Sequence, residues 1–551
     1  MAASKNLLPL LIVCIISFLI LSYKLSEVPN GVYLDEATTG YNAFSILETG
    51  KDEYGKEYPL AFRFFGSYSP PLYTYLTVIP VSIFGLNEFS VRIVSVISGV
   101  LMVLVLYGFL KELTGVSKGV SYLLLFLFII TPWNFFFTRT GYEIYLGFFL
   151  FSLGALFCLK GIISKFFLIP GFAILSLSTY AAHSQIYSVP LFIAGFLILF
   201  HKPIVKDLPV LGLIIALIIQ IPHLALLGTE AFLNKSDLFY SAEKFTNSQK
   251  ILFLPDLISI PLSFGFSFFA RVVTYFSPYS LFFLADPDPQ RSLPEVSVFY
   301  NWMIVPFLFG AYVVLKNIKE TLAKSLALLI IAAVIPAALT KDPFSTQRGL
   351  SLLLPLFLII SLGVSSLYKK IGTKKFYSLA LLLLIISAIL LWRSYFVLLP
   401  SERAVAWNYG YKELAVIVSE NPGTQYLIEN TKDKPSYIEL AFFLRTNPSH
   451  IQDSVDRDIK EDYYNLSKFD PDYKFDNVRT GKIKWEEDIY KSQILVGDEF
   501  MVSPTQAKEH FLTEVFVIND PRGYPILKGF QTNPDKKCLE AAFLSELCKP
   551  R

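Results

Sequence analysis

Eleven apolar runs of membrane-spanning length set the terms for this chain, near residues 6–24, 90–110, 119–138, 142–160, 166–181, 185–200, 207–227, 297–315, 325–340, 350–368 and 376–397. About 20 apolar residues in helical form match the hydrocarbon thickness of a bilayer. The chain is therefore expected to be a polytopic α-helical membrane protein with about eleven transmembrane helices. Only 17% of its residues are charged, whereas soluble domains carry about 25%. A net charge of +3 without a basic stripe excludes a nucleic-acid partner. The 50 Phe and 31 Tyr suit lipid-facing and interfacial positions.

Lysines give the runs a direction, because short cytoplasmic loops carry the Lys and Arg excess. Every second loop is lysine-bearing: Lys111 and Lys118; Lys160 and Lys165; Lys202 and Lys206; Lys316, Lys319 and Lys324; then Lys369, Lys370, Lys374 and Lys375. This alternation predicts a multi-pass protein of the plasma (inner) membrane, with a cytoplasmic N-terminus and an extracytoplasmic C-terminus. The first run lacks a following small-residue cleavage site and reads as an uncleaved anchor. Two outward loops are long, 25–89 and 228–296. In the first, "PPLYTYLTVIPVSIFG" is short and broken by Pro80, so it reads as a helix lying in the interface.

The chain divides on this reading into a transmembrane domain, 1–398, and a polar extracytoplasmic domain, 399–551. The second domain has helix-like "ERAVAWNYGYKELAVIVSEN" and "IELAFFL" and strand-like "YLIEN", "QILVG" and "FLTEVFVIN", the alternation of a small α/β domain. Cys14 and Cys158 sit in apolar runs as buried thiols. Cys538 and Cys548 flank "LEAAFLSEL"; on one unbroken helix they would lie about 15 Å apart, so a disulfide requires a bend between them. No CxxC or HxxxH spacing signals a metal site.

Ionisable residues at membrane level are costly and usually functional. Here they gather on the lysine-poor side. Asp35 and Glu36 follow the first run; a purely structural reading makes Asp35 a helix N-cap and Glu36 a dipole partner. Arg139 and Glu143 stand four apart, the spacing of a local ion pair. Tyr180 and His183 occupy the next outward turn. The segment 271–296 holds Arg271, Tyr275, Asp286, Asp288 and Arg291 among four prolines, and Gln347 and Arg348 head another run, where Ser345 or Thr346 can cap the helix.

"GVYLDEATTGYNAFSILETGKDEYGKEYPL" with "GSYSPPLYTYLTVIPVSIFGLNEFSVRI" resembles the first outer loop of the protein O-mannosyltransferase and aminoarabinose-transferase superfamily, membrane glycosyltransferases of the GT-C fold in glycosyltransferase family 39. The resemblance continues through "YFSPYSLFFLADPDP" and "ALTKDPFSTQRGLSLLLPLFLIISLG" and reaches "WNYGYKELAVIV". It implies transfer of a sugar from a polyprenyl-phosphate donor to a glycan, lipid or protein acceptor at the extracytoplasmic face, with inversion. Asp35 is then the general base, Glu36 its neighbour and Glu143 the second acid. Arg139 and Arg348 match donor-phosphate ligands. The residue before PPLY is commonly Lys in relatives but is Ser69 here, which leaves Arg63 or Arg271 to supply that charge. Some relatives have a histidine where Gln347 stands. Tyr33, Tyr73, His183 and Tyr275 are expected to line the substrate pocket.

The chemistry suits this short parts list. A polyprenyl phosphate leaves as a stabilised anion, so one carboxylate base and fixed cations suffice, without the acid pair of a glycosidase. Arginine offers phosphate a permanent planar fork. A monophosphate donor does not demand a metal, and no cofactor is expected. Two other classes stay open: a transporter or flippase for lipid-linked sugars, which would want polar groups at the midplane, and a non-catalytic envelope-assembly scaffold, for which the acids would be dispensable.

Overall fold

The computed structural model describes residues 7–200, 210–233, 254–430, 435–466, 472–541 and 548. Among them, six helices are long and apolar enough to cross a membrane: Glu88–Thr114, Glu143–Gly161, Asp256–Phe276, Thr321–Ala338, Leu350–Ile371 and Thr373–Glu402. A seventh span results if Lys118–Ile130 and Pro132–Thr138, bent by 60°, count as one. The break has a local cause: Thr131 precedes Pro132 and is extended (φ −62°, ψ 128°), because the proline ring disfavours helical geometry in the residue before it. The other expected crossings form shorter helices, Leu8–Ser22, Lys165–Ser178, His183–Leu199, Val210–Ile219 and Asn301–Lys316. Lys202 and Lys206 lie outside the described residues.

One helix departs from the sequence reading. Asp256–Phe276 falls within the expected outer loop 228–296, yet its 21 residues extend about 31 Å. Pro261, Gly265 and scattered serines weaken its apolar signal in sequence. Its C-terminal Tyr275 packs against Phe344 and bonds Ser345, a loop that the lysine alternation places outside. As one further crossing, this helix would change the parity on which the lysine alternation rests. The PPLY segment forms helix Pro71–Phe84, whose 14 residues cover only about 21 Å, in keeping with an interfacial helix.

Contacts divide the chain into two units: Met1–Leu25, Ser69–Tyr73 and Arg92–Leu398 in the first; Ser26–Tyr68, Thr74–Val91 and Leu399–Arg551 in the second. The boundary at 398 recurs, but most of the first outer loop groups with the C-terminal segment instead of the apolar helices. In the first unit, helices Ile304–Lys316 and Leu353–Ile371 approach closely at two glycines. A Cβ on Gly310 would strike the Ile359 carbonyl, and one on Gly363 the Pro306 carbonyl; small residues at such crossings let backbones meet.

The second unit holds a hairpin of β1 (Phe62–Phe64) and β2 (Ser67–Ser69). Phe65 and Gly66 between them both have positive φ, as the tightest hairpin turns require. Its main sheet comprises β3 (Tyr426–Glu429), β4 (Lys474–Phe475), β5 (Val478–Gly481), β6 (Ile494–Gly497), β7 (Thr513–Asn519) and β8 (Pro525–Gln531), in the order β4-β5-β3-β6-β8-β7. β3 runs parallel to both β5 and β6, and the outer pairs are antiparallel. Leu427, Leu495, Val502, Leu512 and Phe530 form a core on this sheet. The three expected strands are present, as is "IELAFFL" in helix Ser436–Leu444. "ERAVAWNYGYKELAVIVSEN" is not one helix: Asn408 (φ 52°) and Gly410 (φ 101°) break it before Tyr411–Glu420. Cys538 and Cys548 form a disulfide, with Cα atoms 5.4 Å apart, far closer than one unbroken helix would hold them.

Candidate active site

In the second unit, helix Leu34–Thr49 begins after Tyr33 and closes at Gly50 (φ 71°). Tyr33, not Asp35, is its N-cap. Glu36 folds back to accept the Tyr33 amide at 3.4 Å and is 1% exposed. Asp35 sits one position earlier in that first turn and is half-buried. The two adjacent acids thus differ: Glu36 closes the helix start, whereas Asp35 keeps partial access to solvent. The Tyr33 ring stands edge-on to Trp407 at 6.2 Å.

A second acid pair, Asp52 and Glu53, anchors this helix. Both are fully buried. Asn42, two turns beyond Asp35, donates to Glu53 Oε1 at 2.9 Å, and Tyr437 donates to Oε2 at 2.9 Å. Asp52 accepts the Tyr463 hydroxyl at 2.6 Å and the amides of Tyr54 and Lys56 at 3.0 and 2.8 Å. Burial pushes Asp52 up to about 6 and Glu53 up to about 8 despite these donors. On the helix's inner face, Gly40 leaves room for the Phe442 ring and Tyr41 donates to the Thr446 carbonyl at 3.0 Å. The "KDEYG" repeat of the Asp-Glu pair is the signal that sequence reasoning passed over.

Arg63 belongs to the same buried network. It is 1% exposed, donates to the Tyr68 hydroxyl at 3.3 Å and to the Leu466 carbonyl, and lies over the Tyr54 ring at 5.4 Å. That is the setting of a structural pin, not of an open phosphate contact. Ser69 is buried at the end of β2.

In the first unit, Arg139 is fully buried. It donates to the carbonyls of Leu21 and Lys24 at 2.7 and 3.3 Å, where the first apolar helix ends, and packs over Tyr395 at 4.8 Å. Its guanidinium ties up helix-end acceptors, as cations at C-termini do. Glu143 starts helix Glu143–Gly161 and His183 starts His183–Leu199; both are half-buried. Tyr73 is buried with its hydroxyl 2.9 Å from Ser95. Arg271 is 8% exposed on helix Asp256–Phe276.

Arg348 lies in an ionic cluster. Its Nη1 is 3.0 Å from Asp342, which also lies 3.1 Å from Arg291. Arg291 is 2.9 Å from Asp288 and 3.6 Å from Asp286, and donates to Ser345 at 2.7 Å. Asp286 accepts the Thr346 amide and hydroxyl at 2.8 and 2.9 Å. Burial raises the Asp286 pKa, outweighing Arg291. Burial works against the charge of Arg291, but Asp286, Asp288 and Asp342 more than offset it and raise its pKa. Burial lowers that of Arg348, and Asp342 only partly compensates. Ser345 accepts the Arg348 amide at 3.4 Å in the turn before the helix; the helix itself starts after Gly349 without a side-chain cap, so neither Ser345 nor Thr346 caps it. Tyr275 props this loop, and Gly349 is required beside it: a Cβ there would come within 2.7 Å of the ring. Of the residues singled out in sequence, the structure thus joins Arg348 with Tyr275, and Asp35 with Glu36 and Tyr33. Asp286, Asp288 and Arg291, also singled out in sequence, belong to the first group, and Asp342 completes it.

Residues 68–226 match the family model described as dolichyl-phosphate-mannose-protein mannosyltransferase. Two solved structures share the fold over nearly the whole length. ArnT from Cupriavidus metallidurans bound to undecaprenyl phosphate has a TM-score of 0.56 at 11% identity, covering 98% of this chain and 99% of that one. Its apo form has a TM-score of 0.54 at 11% identity, covering 96% and 98%. Comparison with curated proteins finds no match. The chain has the GT-C fold, and its resemblance to family 39 is borne out.

Proposed function

We propose that this GT-C chain is a membrane glycosyltransferase that moves a sugar from a polyprenyl-phosphate donor to an acceptor hydroxyl at the extracytoplasmic face, with inversion. The observation that carries this reading is the division of labour at the start of helix Leu34–Thr49. Glu36 accepts the Tyr33 amide at the helix start, and Asp35, half-buried beside it with partial access to solvent, is assigned as the group that takes the acceptor proton. The likeness to an undecaprenyl-phosphate-bound structure supports the donor class.

Arg348 is the cation proposed for the donor phosphate. Asp342, the carboxylate 3.0 Å from its guanidinium, is itself 36% exposed, so a phosphate can replace that carboxylate on the guanidinium fork. Arg271 is a second candidate. Arg63 and Arg139 instead hold backbone carbonyls. Fixed cations stabilise the charge that develops on the leaving phosphate, and the base activates the acceptor. Glu143, His183 and Tyr275 remain proposed substrate contacts.

The test is Asp35→Asn in proteoliposomes supplied with a radiolabelled polyprenyl-phosphate sugar. Transfer should collapse while the melting profile is kept. Undiminished transfer by a folded variant would sink the reading.

A further inference from the structure

A cavity of about 140 Å³ lies at the carboxyl ends of β3 and β6. Its polar lining is Asn408, Tyr409, Tyr411, Glu429, Asn430 and Asp498, and the other walls are aliphatic apart from Gly497. The position matters. β3 is central; the chain leaves it for β5 on one side and returns to β6 on the other. Open sheets with parallel strands bind ligands at such a reversal, outside the carboxyl ends.

The cavity also contains an unmet demand. Glu429 Oε2 is shut off from solvent and has no hydrogen-bond partner among the described residues, a costly state for a carboxylate oxygen. A ligand that donates hydrogen bonds would relieve it. Among the described residues, no Lys, Arg or His lines the cavity, whereas Glu429 and Asp498 do, so phosphates and other anions are disfavoured. Among the described residues, no group of three or more His, Cys, Asp or Glu is arranged to hold a metal ion, which argues against a divalent cation. What remains is a neutral molecule rich in hydroxyls. Carboxylates and amides pair with adjacent hydroxyls, and tyrosine rings cover the apolar faces between them. The small volume admits a single ring.

The wall of this cavity is tied to the segment that starts the Asp35 helix. Asn408 donates to Glu439 Oε1 at 2.7 Å and to the Val32 carbonyl at 3.5 Å, three residues before Asp35. Gly31 packs against the backbone of Trp407 and Tyr409 so closely that no Cβ would fit.

We infer that this cavity binds one neutral sugar ring, belonging to a glycan acceptor. The acceptor assignment rests on the glycosyltransferase reading; the sugar binding does not. The experiment is saturation-transfer NMR on the full chain in nanodiscs, with the methyl glycosides of mannose, glucose, galactose and N-acetylglucosamine as probes. Glucose 6-phosphate and calcium serve as rival ligands. Wild-type protein should take up saturation at one or more neutral glycosides. Glu429→Gln, Asp498→Asn and the cavity-filling Ile526→Trp should each weaken that binding about tenfold, the loss of roughly one hydrogen bond to a charged group, and melting curves identify the variants that stay folded. Binding unchanged in the folded variants, no binding of any neutral glycoside, or binding of the phosphate or calcium alone would overturn the inference. Because the readout needs no transfer, failure here leaves Asp35 untouched, and failure of the Asp35 test leaves this result untouched.

Discussion

Tyr463 donates its hydroxyl to Asp52 at 2.6 Å across a sequence separation of 411 residues. The same oxygen accepts the Arg63 amide at 2.9 Å, so one phenol joins the C-terminal segment to two points of the first outer loop. Tyr463→Phe removes a donor from a buried carboxylate and an acceptor from a buried amide. The expected cost is about 1–3 kcal/mol, read as a lower thermal midpoint in detergent or nanodiscs.

The pH dependence of the second unit follows from its buried pair. Burial raises both carboxyls, Asp52 from 3.8 to about 6 and Glu53 from 4.5 to about 8. A carboxyl raised in the folded state favours the protonated native form. Its stabilisation is complete below the unfolded value and is lost as pH rises through the folded one. Melting temperature should therefore fall between about pH 4 and 8, and Glu53→Gln should flatten the upper part of that slope. A melt series from pH 4 to 9 checks both.

The acids at the helix start should separate in assay. Asp35→Asn should lower transfer by about 10²–10⁴-fold, the usual range for a lost general base. Glu36→Gln should retain most transfer and instead lower the melting temperature modestly, as a helix-start contact does.

Arg348→Gln should raise the donor KM about ten- to a hundredfold, the loss of a charge-assisted contact. Arg348→Lys should rescue it only in part, because a lysine lacks the planar fork. Gly349→Ala should act in the same direction, by pushing the Tyr275 ring out of the loop that carries Arg348. Donor titrations in proteoliposomes measure all three.

Single cysteines at positions 120 and 345, in a background free of other reactive thiols, test the lysine alternation. An impermeant maleimide should label position 345 from outside and position 120 only after permeabilisation.

Much of this fold is legible in sequence, because apolar runs and strand alternation are local signals. The strands at Tyr426, Ile494 and Thr513 and most of the long helices follow from them. The site is less legible. Asp52 and Glu53 look like loop acids until Tyr437 and Tyr463, nearly 400 or more residues away, supply their donors. Arg63 and Arg139 look like phosphate ligands, since a sequence does not show that their guanidinium groups are occupied by Leu466 and Leu21 carbonyls. The helix is capped at Tyr33, two positions before the Asp35 of the purely structural reading, and the acid that folds back onto the cap is Glu36.

The second unit is assembled from chain segments that lie far apart, Ser26–Tyr68 and Thr74–Val91 with Leu399–Arg551. During synthesis, the segment bearing Asp35 emerges about 300 residues before its partners, a wait of tens of seconds at about 5–20 residues per second. Throughout that interval Asp52 and Glu53 lack the hydroxyl donors of Tyr463 and Tyr437. The proposed base is thus put in place only after the segment from Leu399 onward has been made, and a chain cut at residue 398 would contain Asp35 without the support that gives it a position.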